Sequence, residues 1–200
     1  MYDMSLQNLL FRNTSQPPLT HEERAMQTTK SILFFLATVA VATACWSRNV
    51  SEPSDLDGLT AEQKEGVSQV RTVTAQYQSF GAAQQAGYTN QYPAGCAQST
   101  DGTQGFHYLN NSLVDDKVEL LRPELVMYEP QADGSKQLIG VDYVVPFDAW
   151  KSATPPSLLG MPFMRNEPLG VWALHIWAHR SNPSGMFAMW NPKASCTYAQ

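Results

Sequence analysis

The stretch VWALHIWAH, residues 171–179, alternates between two kinds of side chain along its length. Successive side chains of a β-strand point to opposite faces, so the alternation predicts one strand with two different faces. One predicted face is polar and aromatic and carries His175, Trp177 and His179. The other face is uniformly apolar and carries Leu174, Ile176 and Ala178. We expect the apolar face to pack against a helix.

Three earlier runs, at residues 105–109, 125–129 and 138–145, are short and rich in valine, tyrosine and isoleucine. This composition is typical of strands. Between the second and third runs, QADGS (131–135) has the residues of a hairpin loop. A connection with four prolines, residues 154–168, leads to the last strand. The economical arrangement is an antiparallel sheet of four or more strands.

A single amphipathic helix is predicted before the strands, over residues 60–86. Thr60 and Gln63 have the spacing of a capping box, and apolar residues then recur at three- and four-residue steps. Gly66 and Gly81 are the positions at which this helix is expected to break, if it breaks. The predicted fold class is α+β, with one N-terminal amphipathic helix packed on the sheet.

The run ILFFLATVAVATA, residues 32–44, has no charge and is too short to span a ~30 Å hydrocarbon core. It has the length of a signal-peptide hydrophobic region, with Lys30 as its positive flank. We therefore predict a signal peptide at residues 26–44 and an upstream extension from a mis-assigned start at residues 1–25. A buried core helix is the alternative, and it is disfavoured because polar sequence follows at once.

Cys45 directly follows a small-x-small pattern, as the acylated cysteine of a bacterial lipoprotein does. The match departs from the usual lipobox at Ala42, where Leu, Val or Ile is common, and cleavage without acylation is the alternative. The preferred interpretation is an exported protein of the bacterial envelope or periplasm, anchored to the membrane through Cys45. Residues 45–58 are then a tether, and residues 59–200 form a single domain.

The chain has three cysteines, Cys45, Cys96 and Cys196. In oxidising compartments cysteines usually pair, so an odd one needs a separate role. If Cys45 carries lipid, Cys96 and Cys196 remain as a disulfide that closes a C-terminal strap onto the middle of the domain. A thiolate metal or redox pair is the rival interpretation, and it lacks C-x-x-C spacing.

Composition excludes some partners. The chain has 13 Lys and Arg against 18 Asp and Glu and contains no basic cluster, which argues against a nucleic-acid partner. A hydrophobic fraction of 43% and a charged fraction of 16% are typical of a globular protein. Glycine-rich phosphate loops and a G-x-S-x-G motif are both absent from the sequence, which disfavours nucleotide and serine-hydrolase chemistry.

Four stretches resemble a group of secreted and lipoprotein-type bacterial proteins that has no established activity. They are FHYLN (106–110), RPELVMYEP (122–130), LIGVDYVVP (138–146) and ALHIWAHRSNPSGMFAMWNP (173–192). The resemblance covers most of residues 60–196. It implies export and the extent of the domain, and it implies no mechanism.

Three histidines follow the predicted signal peptide, and all lie in predicted strands. If strand register permits, His107, His175 and either Asp142 or Glu124 converge on the open face of the sheet. Two imidazoles and a carboxylate suit Zn²⁺, Mn²⁺ or Fe²⁺ and leave coordination positions open. The same group can act in acid–base chemistry without a metal. His179 is left out because strand residues four apart stand ~13 Å apart.

Tyr108, Trp172 and Trp177 are predicted to wall this face and to bind a ligand. The predicted function is binding of a small ligand or a metal ion on a histidine-bearing, aromatic sheet face. The sequence does not identify a cofactor, and a divalent transition metal is the candidate. The alternatives are a metal-dependent hydrolase or oxygenase, and a structural or interaction protein of the envelope. For each residue alone, ordinary packing in the core is the competing interpretation.

Overall fold

The computed structural model describes residues 56–200. The predicted upstream extension (1–25), the signal peptide (26–44), the lipidation site Cys45 and most of the tether (45–58) lie outside the described residues. Within the part that is described, every helix falls short of the length and apolar character that a membrane crossing requires.

The helical part of the domain is divided in two. Helix α1 is Ala61–Thr74, a 3₁₀ turn follows at Ala75–Gln78, and helix α2 is Phe80–Gln85. The predicted capping box is present, since the Thr60 side chain accepts from the Gln63 backbone and the Gln63 side chain accepts from the Thr60 backbone. The break falls at Ser79, whose backbone is extended and whose side chain caps α2. It does not fall at Gly66 or Gly81.

Six antiparallel strands form the main sheet, in the order β1-β2-β3-β4-β8-β7. Strands β5 and β6 pair in a separate two-stranded sheet. The sheet, a helix and a disulfide confirm the predicted α+β class in outline. The strand bounds are β1 Asn90–Ser99, β2 Gly102–Leu109, β3 Leu125–Pro130, β4 Lys136–Pro146, β5 Ser157–Leu158, β6 Met161–Pro162, β7 Met164–Asn166 and β8 Val171–Ile176.

The two faces of the sheet belong to two different apolar clusters. The larger cluster includes Val126, Val141, Tyr143, Leu174 and Ile176 of the sheet, together with Val67 and Val70 of α1. The smaller cluster comprises Leu109, Leu125, Val144, Val171 and Ala173. The second face is therefore more apolar than the predicted polar and aromatic surface, and its polar residues are concentrated at one place.

Strand β8 ends at Ile176, earlier than the alternation predicted. Trp177 has no exposed surface, and its indole nitrogen donates to the Ala188 carbonyl. His179 Nε2 lies 2.8 Å from Thr74 Oγ1 at the end of α1. The prediction that His175, Trp177 and His179 share one strand face is therefore wrong for His179, because the chain leaves the strand geometry after Ile176.

A C-terminal strap, residues 177–200, closes the domain. Cys96 of β1 and Cys196 of the strap form a disulfide, as predicted, across a sequence separation of 100 residues. The strap is also tied to β2, since the backbones of Thr103 and Asn191 exchange two hydrogen bonds. The side of the sheet that carries β1 and β2 is thus fixed to the strap at two points.

Gly105 of β2 and Gly134 of the β3–β4 hairpin offer a matched pair for testing this packing. Both have φ +81°, but an added Cβ would overlap the Tyr128 carbonyl at Gly105 and would meet nothing within 4 Å at Gly134. We expect Gly134→Ala to lower the free energy of unfolding by about 1 kcal/mol, the cost of the left-handed conformation. Gly105→Ala should lower it by about 3 kcal/mol, because the steric overlap is added. Urea unfolding of both variants measures the difference, and equal losses would contradict the close approach.

Candidate metal centre

The register between β4 and β8 brings the first two site residues together. Asp142 lies directly opposite His175 in this antiparallel pair. Residues opposite each other across a ladder point to the same face, with their Cβ atoms about 5 Å apart. His175 Nε2 lies 3.4 Å from Asp142 Oδ2. The contact thus follows directly from the pairing of the two strands.

His107 reaches the same point from β2. It is paired with Met127 of β3, so one strand separates it from β4. Its Nε2 lies 3.4 Å from His175 Nε2 and 4.0 Å from Asp142 Oδ2. The ligand-type atoms of His107, Asp142 and His175 all lie within 4.8 Å of one another, and we call these residues the His–Asp–His group.

The three distances suit a common metal ion. Zn²⁺ binds imidazole nitrogen and carboxylate oxygen at ~2.0–2.2 Å, and two ligands of a tetrahedral ion at that range stand roughly 3.4 Å apart. Two of the three separations are 3.4 Å, and the third, at 4.0 Å, is wider by a fraction of an ångström. The three residues are only 2–5% exposed. A small side-chain movement would therefore complete the coordination.

The strap orients His175. His175 Nδ1 lies 3.0 Å from the Met189 carbonyl oxygen, which can only accept, so Nδ1 carries a proton and donates. Gln104 of β2 donates to the same carbonyl at 3.1 Å. The remaining nitrogen, Nε2, faces Asp142 and His107. Metal-binding histidines are usually fixed in this way, with the second nitrogen donating to a carbonyl or a carboxylate.

Two atoms of the group have no protein partner. His107 Nδ1 and Asp142 Oδ1 are buried and make no hydrogen bond within the described residues. Most buried polar side-chain atoms are satisfied, and those that are not need an explanation such as an ion, a ligand or a catalytic role. The group therefore differs from a fully hydrogen-bonded polar cluster of the core.

Burial and the nearby charge shift the pKa values of the two histidines in opposite directions. Burial lowers the pKa of His107 to about 4, although the Asp142 carboxylate opposes this shift. Burial acts in the same direction on His175, but the Asp142 carboxylate and the Met189 carbonyl outweigh it, and the pKa of His175 is raised. Without a metal, a proton on this group belongs mainly to His175, beside Asp142. A bound cation would take the place of that proton.

The group opens into a pocket on the same face of the sheet. The pocket has a volume of about 520 Å³, within the range of ligand sites. Its walls include Leu125, Val144, Val171 and Ala173 of the smaller apolar cluster. A second cavity of about 490 Å³ shares part of this wall and continues it toward Leu109, Val114 and Pro146. Together they form a mainly apolar groove that ends at the His–Asp–His group.

Glu124, the alternative carboxylate, lies outside the His–Asp–His group. Its Oε2 accepts from the Val144 backbone nitrogen at 3.1 Å, and Glu124 lies immediately before the first residue of β3. The carboxylate thus replaces the backbone acceptor that a longer β3 would have supplied. Burial raises the pKa of Glu124 to about 8. The structure brings Asp142, and not Glu124, to the histidines.

The three predicted ligand-binding aromatic residues do not line the pocket. Tyr108 and Trp172 are each adjacent in sequence to a residue whose side chain faces the pocket, so their own side chains point to the opposite face of the sheet. There Tyr108 packs on Phe80 and Trp172 packs on Phe147. The Trp177 ring contacts His175, with 6.1 Å between ring centroids, but it is fully buried. Ligand binding by these residues has no support in the geometry.

The aromatic residues that do line the pocket were missed by sequence reasoning. They are Tyr92 of β1 and Trp190 of the strap, and Met189 and Gln104 join them. Tyr92 donates from its hydroxyl to the carbonyl of Leu169, and both residues line the two cavities. Only the fold-back of the strap brings residues 189–190 to the pocket, and no periodic pattern in the sequence signals that contact.

Comparisons with known proteins add no relative to this picture. No family model matches the chain, and neither a curated protein nor a solved structure is significantly similar to it. Its function must therefore follow from the geometry of the His–Asp–His group and the groove.

Proposed function

We propose that the domain binds one divalent transition metal, such as Zn²⁺, Mn²⁺ or Fe²⁺, and presents it to a small ligand held in the adjoining pocket. The metal ligands are His107 Nε2, Asp142 Oδ2 and His175 Nε2. The observation that carries the proposal is their convergence. His175 Nδ1 already donates to Met189, so in the neutral imidazole the lone pair of Nε2 lies 3.4 Å from a carboxylate oxygen, and a cation between them can bind both atoms.

When both histidines carry their proton on Nδ1, the three atoms are all electron-rich, and at this spacing they repel one another unless a positive centre lies among them. A proton can join two of them, but it leaves the third without a partner. A metal ion joins all three at once. Two imidazoles and one carboxylate on one side of an ion are the donor set of catalytic zinc and of non-haem iron centres. The other side of the ion would face the pocket.

The main alternative is a metal-dependent enzyme, a hydrolase or an oxygenase, that uses the same three residues. The pocket beside the group favours this reading, because open coordination positions that face a ligand cavity can hold both water and substrate. Turnover of a bound compound would distinguish the enzyme from the binding protein. A structural or interaction role in the envelope is the third candidate. Such a role would not explain why buried polar atoms of the His–Asp–His group lack hydrogen-bond partners.

We also propose the setting of the domain. Helix α1 would cover the face of the sheet opposite the pocket, which the burial of Val67 and Val70 with sheet residues supports. Export and anchoring through Cys45 would place the pocket in the envelope or periplasm. The disulfide supports an oxidising compartment, since such bonds are rare in cytosolic proteins.

The test is the metal content of the full-length protein, purified from an oxidising compartment without a histidine tag. We expect about one equivalent of transition metal per chain, and restoration of one equivalent by Zn²⁺ after chelation. His175→Ala should reduce the affinity more than hundredfold, because a direct ligand is lost and even outer-shell losses cost up to about that much. His179→Ala is the matched control and should keep the full equivalent, since His179 bonds Thr74 and Gln78 instead.

Equal affinity in His175→Ala and His179→Ala would place any bound metal elsewhere on the protein. Absence of metal from the parent, before and after zinc titration, would remove the proposal. The His–Asp–His group would then be a buried hydrogen-bonded cluster, with acid–base chemistry as its remaining candidate role.

A further inference from the structure

The chemical class of the ligand can be inferred from the walls of the groove. Apart from the His–Asp–His group, none of the charged residues between 56 and 200 lines either cavity. The remaining polar side chains of the first pocket are the phenol of Tyr92, the indole of Trp190 and the amides of Gln104 and Asn166. Gln104 is already engaged with Met189. The groove therefore has one charged end and a long uncharged body.

The charge of the occupied site has a definite sign. Histidines bind metals as neutral imidazoles and aspartate binds as the anion, so a divalent ion with His107, His175 and Asp142 leaves a net charge of about +1. That charge lies at the buried end of a groove with apolar walls, where electrostatic interactions are stronger than in water. An anionic group that completes the coordination would neutralise it. A cationic ligand would be repelled.

The rest of the ligand must suit the apolar body. Val144, Leu169 and Val171 line both cavities and thus connect the metal end to the far end of the groove. Among the described residues that line the groove outside the metal end, none carries a positive charge that could pair with a phosphate or a second carboxylate. A sugar or a nucleotide would bury hydroxyl groups here with few partners, which is costly.

We propose, on the basis of the metal site proposed above, that the ligand is a monocarboxylate with an apolar body, such as a medium-chain fatty acid. Its carboxylate binds the metal held by His107, Asp142 and His175. Its hydrocarbon chain lies along Val144, Leu169 and Val171. Each buried methylene of such a ligand strengthens binding, because apolar surface is removed from water on both sides.

The probe for this inference is octanoate, titrated into the full-length protein loaded with Zn²⁺ or Co²⁺. We expect octanoate to bind at least tenfold more tightly than acetate, octylammonium to bind no more tightly than acetate, and chelation to weaken octanoate binding at least tenfold. With Co²⁺, octanoate should change the visible absorption of the ion, because its carboxylate enters the coordination sphere.

Two variants at Leu169 separate charge from shape. Leu169 is only partly buried, so a polar side chain there should be tolerated. Leu169→Asp places an anion in the groove and should weaken octanoate binding at least tenfold relative to the nearly isosteric Leu169→Asn. Both variants should keep one equivalent of Zn²⁺, since Leu169 is not a metal ligand.

The outcomes separate the two proposals. Stoichiometric Zn²⁺ with no preference for octanoate over acetate would overturn the ligand class and leave the metal site standing. Octanoate binding that is equal with and without metal, or equal in the Asp and Asn variants, would also overturn it. A chain that binds no Zn²⁺ or Co²⁺ would refute the metal site and this inference together.

Discussion

Asp142→Asn is expected to weaken zinc binding more than hundredfold and, at an alkaline pH where His175 has lost the proton that it shares with Asp142, to leave the metal-free domain at least as stable as the parent. The amide removes the only anionic ligand of the His–Asp–His group, and with it the charge that attracts a cation into a buried site. The metal-free fold loses little at that pH, because the neutral imidazole of His175 no longer pairs with the buried Asp142 carboxylate, whose Oδ1 makes no hydrogen bond within the described residues. We expect the free energy of unfolding in chelator at that pH to rise by about 1 kcal/mol, since a poorly satisfied buried charge is removed.

The matched control is Glu124→Gln. Glu124 is also a buried carboxyl group, but it bonds the Val144 backbone and lies outside the His–Asp–His group. This variant should keep the zinc affinity of the parent. Zinc titration and urea unfolding, each in metal and in chelator, measure both variants. If Asp142→Asn instead destabilised the metal-free protein by several kcal/mol and bound zinc normally, Asp142 would be a structural residue.

Removal of the disulfide should have the largest effect on stability. The bond spans 100 residues of sequence, and loop-closure entropy assigns such a cross-link about 4 kcal/mol. We therefore expect the double variant Cys96→Ser/Cys196→Ser to lose roughly that amount in urea unfolding. The double variant is preferred to either single change because it leaves no free thiol to form incorrect pairs.

The same variant should also weaken metal binding. The strap that Cys196 closes carries the Met189 carbonyl, which holds His175 in its metal-binding tautomer. Loss of such an outer contact costs 10- to 100-fold in metal affinity. Zinc titration in the absence of urea, under conditions in which the variant is still folded, measures this effect. Unchanged affinity would mean that the hydrogen bonds of Asn191 and Gln104 hold the strap without the disulfide.

The strands that carry the site could be predicted from the sequence because their alternation is strong. Val141, Tyr143 and Val145 alternate with Asp142 and Val144, so the sequence predicts that Asp142 and Val144 lie on the same face of the sheet. The pairing of Cys96 with Cys196 was also predictable and is confirmed. The choice between Asp142 and Glu124 could not be predicted, because it depends on where β3 begins. It also depends on the Val144 backbone nitrogen, which donates to Glu124.

Trp177 and His179 show where alternation fails. The alternating pattern VWALHIWAH continues past Ile176, but the strand does not. Beyond that residue, Trp177 N donates to the Met186 carbonyl and His179 N donates to the Ile139 carbonyl. Tertiary contacts with the strap and with α1 end the strand. A local pattern carries no information on those contacts. The pocket residues Tyr92 and Trp190 were missed for the same reason.

The separation of the metal ligands along the chain has a consequence for how the protein would acquire its ion. His107 and His175 are 68 residues apart, and four strands, β2, β3, β4 and β8, must pair in register before their nitrogens meet. An unfolded or half-made chain offers no such site, so capture of the ion is coupled to the final stage of folding. Divalent metals are sorted in cells more by availability than by intrinsic affinity. The identity of the ion would therefore be decided by the place in which the chain folds, and the same sequence folded in two compartments could carry two different metals.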